Sequence, residues 1–262
     1  MPELPEVEVL RKELEPILTG KKIVEVSILD PRLRVQRESL EGKTILPLKR
    51  LGKYLIVPLK EGGYLVVHLG MTGQLEATPE NVPHKHQRAC FVLSSGTYLS
   101  FIDSRKFGRI FFLEEYQTLQ EKLGVDPLSP DFTFLRFLSL LRGTKRLKDF
   151  LLDQRKIAGI GNIYASEILF RACLHPRRSV ASLSSEEKER LFTSILAVLK
   201  EAIAAKGTTI RDFRRPSGEG GNFQDLLSVY GKTQCPRCGT PIVREVISSR
   251  STYFCPRCQP LR

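Results

Sequence analysis

The chain has 262 residues and a formal net charge of +12, with 41 lysines and arginines against 29 acidic residues. This length allows two domains with a sizeable core, and the positive charge favours a polyanionic partner, nucleic acid before anionic membrane. No stretch resembles a signal peptide or a transmembrane span, so we expect a cytoplasmic protein rather than a secreted or membrane-embedded one.

The first eight residues, Met-Pro-Glu-Leu-Pro-Glu-Val-Glu, combine an amine with carboxylates. A small residue after Met1 allows its removal, which would leave Pro2 with a free secondary amine. Such amines have a pKa of about 7.7–8.0, and a helix start lowers that pKa further. Apolar residues at three- and four-residue spacing from Val7 to Leu18 predict that helix. With Glu3 and Glu6 nearby, Pro2 is a candidate for imine chemistry. A charged helix start without chemistry is the alternative.

The region up to about residue 115 predicts β-structure, since β-branched and aromatic residues recur in short runs between turn signals. The runs cover residues 23–28, 53–57, 64–69, 90–93, 98–102 and 109–113. Their regular spacing indicates a sandwich or a flattened barrel, and residues 78–86 are expected to form a mobile loop.

Two glycine-containing turns follow predicted strands, at residues 68–73 and 103–108. They carry Met71, Arg105 and Phe107 as candidates for exposed tips. Enzymes that extract a base must fill the gap it leaves with apolar side chains and hydrogen-bond donors. The alternative is that Met71 and Phe107 belong to the core, the usual place of such residues. His68 equally fits a packed histidine at a strand end.

Two prolines within residues 124–131 predict a linker, beyond which the periodicity becomes helical. We expect helices over residues 134–141, 147–152, 163–173 and 183–205, the last opened by a Ser-Ser-Glu-Glu start signal. Residues 206–222, rich in glycine and arginine, predict a flexible basic loop, and residues 224–230 a short helix.

A basic pair leads through two glycines into the third of these helices, in the sequence Arg155–Tyr164. Glycines let the backbone approach a phosphate, and a helix start attracts one. Lys156 and Asn162 are therefore candidate phosphate contacts, with Asn162 also suited to cap the helix. An ordinary corner between helices is the alternative.

Two Cys-Pro-Arg-Cys pairs, sixteen residues apart, close the chain. This spacing is typical of one structural Zn²⁺ held by four thiolates, from Cys235, Cys238, Cys255 and Cys258. Residues 242–247 and 251–254 predict a hairpin between the pairs, with Arg250 at its tip as a candidate phosphate contact. A purely structural zinc ribbon with Arg250 in solvent is the alternative.

Together these motifs resemble, over essentially the whole chain, the formamidopyrimidine-DNA glycosylase and endonuclease VIII family of base-excision repair enzymes. Leu4 and the set Met71, Arg105 and Phe107 resemble its 8-oxoguanine branch. The resemblance implies an α+β fold: an N-terminal β-sandwich with an N-terminal helix, a helical domain with a helix–two-turn–helix corner, and a β-hairpin zinc finger. The expected boundaries are 1–123, a linker at 124–131, 132–226, and 227–262.

The resemblance also implies residue roles. Pro2 would be the nucleophile, Glu3 the general acid and base, Glu6 its support, and Lys53 a contact near the lesion phosphate. DNA phosphates would be bound by His68, Lys156, Asn162, Tyr230 and Arg250. Met71, Arg105 and Phe107 would enter the duplex, with Arg105 facing the orphaned cytosine, and residues 208–223 would cover the flipped base.

The expected function is that of a bifunctional DNA glycosylase and abasic-site lyase. It would excise oxidised purines (8-oxoguanine and formamidopyrimidines) from double-stranded DNA and cut the strand by β,δ-elimination. We expect a monomer of bacterial type, associated with the nucleoid through DNA. Lys106 and Ser104 depart from the family pattern, as does the arginine-rich segment 211–215, which leaves base recognition open. The alternatives are excision of oxidised pyrimidines, as in endonuclease VIII, or a non-catalytic zinc-dependent DNA-binding protein.

Overall fold

The structure is a computed structural model that describes residues 1–210 and 213–261. The chain packs as two compact units, each with its own core. The first comprises Met1–Glu121 and Ala205–Gln224, and the second comprises Lys122–Ala204 and the chain from Asp225 onward. Residues 205–224, which lie wholly within the predicted helical domain at 132–226, instead pack with the N-terminal unit.

The first unit opens with helix α1 (Leu4–Leu18), whose first turn contains Pro5, a residue that loses no hydrogen bond there. Its apolar face is as predicted: Leu10, Leu14 and Leu18 are fully buried, and Val7 nearly so. Full burial of such a side chain contributes about 1.5–3 kcal/mol, so packing rather than helix propensity holds α1 in place.

Eight strands follow, in two antiparallel four-stranded sheets. The first sheet has the order β1-β6-β7-β5 and the second the order β2-β3-β4-β8. The strands are β1 (Ile23–Ile28), β2 (Lys49–Leu51), β3 (Tyr54–Pro58), β4 (Tyr64–His68), β5 (Gln74–Thr78), β6 (Gln87–Leu93), β7 (Tyr98–Ile102) and β8 (Arg109–Leu113). A short helix, α2 (Gln117–Gln120), comes after them.

A single apolar cluster joins both sheets to α1. It contains Val26 and Phe91 from the first sheet, Leu55 and Val67 from the second, and Leu14 from the helix. The predicted β-sandwich with an N-terminal helix is confirmed. Strands β2 and β5 were not predicted, because Lys-Arg-Leu and Gln-Leu-Glu-Ala-Thr lack the β-branched runs that mark a strand in sequence.

The described residues of the second unit form four α-helices, α3 (Phe134–Leu140), α4 (Leu147–Leu152), α5 (Asn162–Arg171) and α6 (Ser185–Ala204). Ser184 and Glu187 form a reciprocal capping box at the start of α6, as the sequence signal indicated. Phe137 packs edge-on against Phe150 and also contacts Phe192, which ties α3, α4 and α6 together. The predicted helix at residues 224–230 is instead a 3₁₀ turn at Phe223–Leu226.

The predicted C-terminal hairpin is present as β9 (Val243–Ile247) and β10 (Arg250–Phe254). Ser248 and Ser249 both have positive φ, at 51° and 61°, as the two central residues of a tight hairpin turn require. Arg250 therefore begins β10, paired with Ile247, and does not lie in the turn itself. The α+β fold with a helical domain and a zinc-finger hairpin is confirmed.

Candidate active site and DNA interface

The start of α1 holds a buried acidic pair beside Pro2. Pro2 is buried, and Glu3 and Glu6 are each 2% exposed. One carboxylate oxygen of Glu6 accepts the N–H of Glu3 at 2.8 Å, and the other accepts the N–H of Thr208 at 2.7 Å. Glu6 thus links the start of α1 to the segment 205–224. With Met1 in place the Pro2 nitrogen is an amide; removal of Met1 makes it an amine.

The segment 205–224 is tied down at several points rather than uniformly loose. Gly207 has φ +81°, a conformation that L side chains rarely adopt, and a Cβ there would lie 3.1 Å from the Glu6 carboxylate, so glycine is favoured at this position. Thr209 accepts the N–H of Gly221 through its hydroxyl at 2.8 Å. Part of this segment therefore packs closely against the start of α1.

Arg215, from the arginine-rich stretch, is held between two carboxylates. It forms ion pairs with Glu13 of α1 and with Glu219, both at 2.6 Å. These ion pairs fix Arg215 to α1 and to its own segment, so its charge is already paired within the protein. Arg211 and Asp212, part of the same predicted feature, lie outside the described residues.

Lys53 lies in the turn between β2 and β3 and is 9% exposed. The preceding residues are fixed to α1, because Arg50 donates to Glu8 at 2.9 Å and also to the carbonyl of Gly52. Burial raises the pKa of Glu8, but hydrogen bonds and charges from Arg11 and Arg50 outweigh it and lower the pKa overall. Glu8 stays ionised, and Arg50 holds the turn that presents Lys53.

His68 ends β4 and is a partly buried ring that packs against Tyr54, with ring centroids 4.8 Å apart. Burial, together with the charges of Lys53 and Arg109, lowers the pKa of His68 from 6.5 to about 4. Its Nδ1 accepts the N–H of Gly70 at 3.1 Å, so the proton of the neutral ring resides on Nε2. Nε2 can then donate one neutral hydrogen bond to a phosphate.

Replacing His68 by glutamine is expected to leave the salt dependence of DNA binding unchanged near pH 7, because a neutral donor releases no counterion. Replacing Lys156 by alanine should reduce the slope of log K against log salt by about one unit. Binding to one duplex, measured across several salt concentrations, compares the two variants. An equal drop for His68→Gln would show that the histidine is charged.

The same depressed pKa has a consequence for stability. Below pH 6.5 the unfolded chain protonates His68 while the folded chain does not, so the folded state loses stability as pH falls toward 4. The variant His68→Gln has no imidazole to protonate, so it does not lose this stability at low pH. The difference in unfolding free energy between wild type and variant should therefore shift in favour of the variant between pH 7 and pH 4, measured by urea denaturation.

The two predicted tips are exposed. Met71 is 39% exposed and Phe107 is 52% exposed, although most large apolar side chains in the unit are buried. The Arg105 guanidinium lies over the Phe107 ring, 4.9 Å from its centroid. Asp103, which directly follows β7, is fully buried. It accepts hydrogen bonds from Thr72 in one turn and from Gly108 in the other. Met71, Arg105 and Phe107 thus form an exposed apolar and cationic projection, and the buried hydrogen bonds of Asp103 hold the two turns beneath it.

In the second unit, Gln154 shapes the corner that precedes α5. Its amide donates to the carbonyls of Leu152 and Ile160 and accepts the N–H of Gly159, at 2.8–3.0 Å. Lys156 lies in this corner and is partly exposed. The helix cap is Gly161 rather than the predicted Asn162, which is the first residue of α5.

The side chain of Asn162 reaches the hairpin instead of capping the helix. Its Nδ2 donates to the carbonyl of Ser251 at 2.8 Å, and its Oδ1 is buried without a hydrogen-bond partner. Because Ser251 follows Arg250, this contact fixes the start of β10 to the N-terminus of α5. Two of the predicted phosphate contacts are thereby brought into one neighbourhood.

Tyr230 is held by Glu167, a residue outside the predicted site. The Glu167 carboxylate accepts the N–H groups of Ser228, Val229 and Tyr230 at 2.8–3.0 Å. Burial raises the pKa of Glu167, and the three N–H donors oppose that rise. The Tyr230 ring lies 4.8 Å from that of Tyr253 on β10. No local pattern marks an acid whose partners lie about sixty residues away.

Four thiols converge beside the hairpin. The sulfur atoms of Cys235, Cys238, Cys255 and Cys258 all lie within 4.8 Å of one another, with individual separations of 3.5–3.8 Å. Tetrahedral Zn²⁺ with bonds of about 2.3 Å needs sulfur separations of about 3.8 Å, so the donor set fits the metal. One structural zinc stabilises this module, as predicted.

The predicted site residues thus form groups within each unit. The first unit holds Pro2, Glu3, Glu6 and Lys53 at and beside the start of α1, together with His68, Met71, Arg105 and Phe107 at the ends of its strands. The second unit holds Lys156, Asn162, Tyr230, Arg250 and the four cysteines. None of the helices in the described part of the chain combines the length and the apolar composition that a membrane span needs.

Comparison with known families gives three matches along the chain. Residues 1–110 match the formamidopyrimidine-DNA glycosylase N-terminal domain, residues 123–214 its H2TH domain, and residues 234–261 a zinc finger found in FPG and IleRS. Formamidopyrimidine-DNA glycosylase of Thermomicrobium roseum is 43% identical, with 100% of each chain covered. That of Thermus thermophilus is 45% identical, covering 99% of this chain and 98% of the relative.

Solved structures of the same family are similar to this chain over nearly its whole length. The crystal structure of MutM (Fpg) from Thermus thermophilus superposes with a TM-score of 0.90 at 43% identity, covering 98% of both chains. Lactococcus lactis Fpg in complex with DNA containing an abasic site gives 0.91 at 35% identity, covering 99% of this chain and all of that one. The chain therefore belongs to the formamidopyrimidine-DNA glycosylase family, whose members are bifunctional DNA glycosylases and abasic-site lyases.

Proposed function

We propose that the protein excises oxidised purines, 8-oxoguanine and formamidopyrimidines, from duplex DNA through an imine on Pro2. The observation that carries this is the buried pair Glu3 and Glu6 beside Pro2, with Glu6 bound to both Glu3 and Thr208. Borohydride trapping on a panel of lesion duplexes tests it, because reduction fixes a covalent adduct only where an imine forms.

The reaction begins when the Pro2 amine, as the free base, donates its lone pair to C1′ of the damaged nucleotide. The bond from C1′ to the base breaks, and the base leaves with a proton. Glu3 delivers a proton to the ring oxygen as the sugar opens, which gives an iminium between Pro2 and C1′.

The iminium acidifies the proton at C2′. Its removal expels the 3′ phosphate, and a second elimination expels the 5′ phosphate, after which water releases Pro2 from the sugar fragment. Glu6 keeps the backbone of Glu3 in place through the hydrogen bond at 2.8 Å. The zinc lies in the other unit and takes no part in these steps.

Two groups of residues contact DNA: one binds phosphates and positions the duplex, and the other fills the space that the flipped base leaves. Lys53, His68, Lys156, Asn162, Tyr230 and Arg250 contact phosphates, which fix the register without reading sequence. Met71, Arg105 and Phe107 occupy the space in the stack that the flipped base leaves. The exposure of Met71 and Phe107 supports this role over burial in the core.

We propose as functional segments a catalytic sandwich at 1–123, a linker at 124–131, a helical DNA-binding domain at 132–226, whose residues 205–224 pack with the N-terminal unit, and a zinc finger at 227–262. Residues 205–224 complete the catalytic unit. The protein acts as a monomer in the cytoplasm, concentrated on the nucleoid by its net charge of +12. Gel filtration with light scattering tests the monomer.

Substituting Arg250 by alanine is expected to weaken binding to damaged and undamaged duplex alike, by a similar factor. Arg250 is an exposed cation at the start of β10, and a phosphate contact is present with either DNA. The salt slope should fall by about one unit. Titrations of both duplexes at several salt concentrations measure these changes.

Substituting Arg105 by alanine is expected to spare binding to undamaged duplex and to reduce excision. It should also flatten the preference for cytosine opposite the lesion, because a guanidinium donates to the acceptors on the pairing edge of cytosine. Excision opposite each of the four bases is the measurement. If Arg250→Ala changes that preference while Arg105→Ala preserves it, the two roles are wrongly assigned.

Excision of oxidised pyrimidines remains the competing substrate assignment. A duplex carrying 8-oxoguanine and one carrying an oxidised pyrimidine, mixed at equal concentration, separate the two by the ratio of kcat/KM. Preference for the purine lesion is expected. A non-catalytic protein would form no adduct with either duplex.

A further inference from the structure

The turns that carry Met71, Arg105 and Phe107 cross between the two sheets at the same place. The chain from β4 to β5 passes from the second sheet to the first, and the chain from β7 to β8 returns. His68 pairs with Arg109 on one sheet, and Gln74 pairs with Ile102 on the other. Residues 69–73 and 103–108 are therefore held side by side from both ends.

The backbones of these two turns are in direct contact. Gly70 has φ +62°, and a Cβ there would lie 2.5 Å from the carbonyl carbon of Phe107 and 2.6 Å from the nitrogen of Gly108. Any side chain at position 70 would push the turns apart. The tips thus share one packed base.

Asp103 joins the turns by hydrogen bonds. Its Oδ2 accepts the N–H of Gly108 at 2.7 Å, and its Oδ1 accepts the N–H of Arg105 at 3.2 Å, so it braces its own turn on both sides of the tip. The same Oδ1 accepts the hydroxyl of Thr72 from the other turn at 2.5 Å. The Thr72 oxygen in turn accepts the N–H of Arg105 at 3.2 Å.

We infer that Asp103 and Thr72 are positioning residues that make Met71, Arg105 and Phe107 one rigid projection, so that the two turns enter the duplex together. Asp103 is fully buried and Thr72 is 8% exposed, so both act through the tips rather than on DNA. A pre-ordered projection loses less conformational freedom on insertion than two independent turns. The inference rests on the proposed void-filling role.

The test is Thr72→Val, which keeps the shape of the side chain and removes its hydroxyl, with Thr72→Ser as the matched control that keeps it. Thr72→Val is expected to lower kcat for 8-oxoguanine excision from duplex by about tenfold, comparable to losing a hydrogen bond to a charged group. It should also weaken the preference for cytosine, while Thr72→Ser stays close to wild type.

Cleavage of a single-stranded abasic site supplies the internal reference, since a single strand has no stack to refill. Thr72→Val should keep this lyase activity and its borohydride adduct. The fluorescence of 2-aminopurine placed beside the lesion should rise less with Thr72→Val than with wild type, because the stack is less fully opened. If wild type itself forms no adduct, the proposed function fails and the positioning role is not the cause.

Two results would overturn the inference. The first is full duplex excision and full cytosine preference in Thr72→Val; the second is an equal loss on duplex and single strand in a variant that unfolds cooperatively at the wild-type temperature. If Thr72→Val does not fold, a double-mutant cycle of Met71→Ala and Phe107→Ala gives the answer. Coupled tips lose less together than the sum of the single losses, and additive losses would refute coupling.

Discussion

A chain that retains Met1 is expected to form no borohydride-trapped adduct with lesion DNA. The Pro2 nitrogen is then part of a peptide bond, and its lone pair is delocalised into the carbonyl. Only removal of Met1 produces an amine, and α-amino groups in general titrate at about 7.7–8.0, which leaves an unprotonated, reactive fraction at neutral pH. Adduct formation should therefore fall below detection, the largest effect of any change considered for this chain.

The experiment compares two preparations of the same sequence, one processed and one with Met1 retained, each verified by mass spectrometry. Pro2→Gly serves as an intermediate case, since it keeps a terminal amine but changes its basicity and freedom, and reduced activity is expected. Binding to undamaged duplex should be equal in all three, which controls for folding. Full trapping by the chain that retains Met1 would exclude Pro2 as the nucleophile.

Substituting Cys235 by serine is expected to remove the zinc and to weaken DNA binding by about tenfold or more. Cys235 is 3% exposed and packs with Phe170, Val229 and Cys255, so the metal site and the small core around it are lost together. The start of β10 then loses its fixed place, and Arg250 with it. The N-terminal unit should stay folded because its core contains none of these residues.

Cys173→Ser is the matched control, since Cys173 lies outside the four-cysteine cluster. It should keep one zinc per chain and wild-type affinity. Metal analysis of the reduced proteins, with duplex titration and thermal unfolding, measures all three properties. An active wild-type preparation without zinc, or a Cys235→Ser variant that binds DNA normally, would contradict the assignment.

The zinc site could be predicted from sequence because its geometry is local. Each Cys-x-x-Cys pair presents two thiols from one turn, so the spacing alone indicates the ligand set. The start of α1 could also be predicted from sequence, because Pro5 and the spacing of Val7, Leu10 and Leu14 indicate a helix with one buried face. Such patterns report the chemistry of a short segment.

Contacts between segments that are distant in sequence could not be predicted, because no local pattern indicates them. Glu6 meets Thr208 across 202 residues of sequence, and the donor is a backbone N–H that any residue other than proline could supply. Asp103 looked like an ordinary turn residue, although its carboxylate joins two turns. Asn162 fitted the pattern of a helix cap, but the carbonyl of Ser251 took its side chain instead.

The separation of residues 1–121 and 205–224 in the chain affects how the protein is made. During synthesis the N-terminal sandwich emerges without Phe213 and Phe223, which are 6% and 3% exposed in the finished unit, and without the Thr208 donor to Glu6. At about 5–20 residues per second, the ribosome needs on the order of 5–20 s to supply them. The contacts around the start of α1 are therefore completed only after the whole helical segment up to residue 204 has been translated.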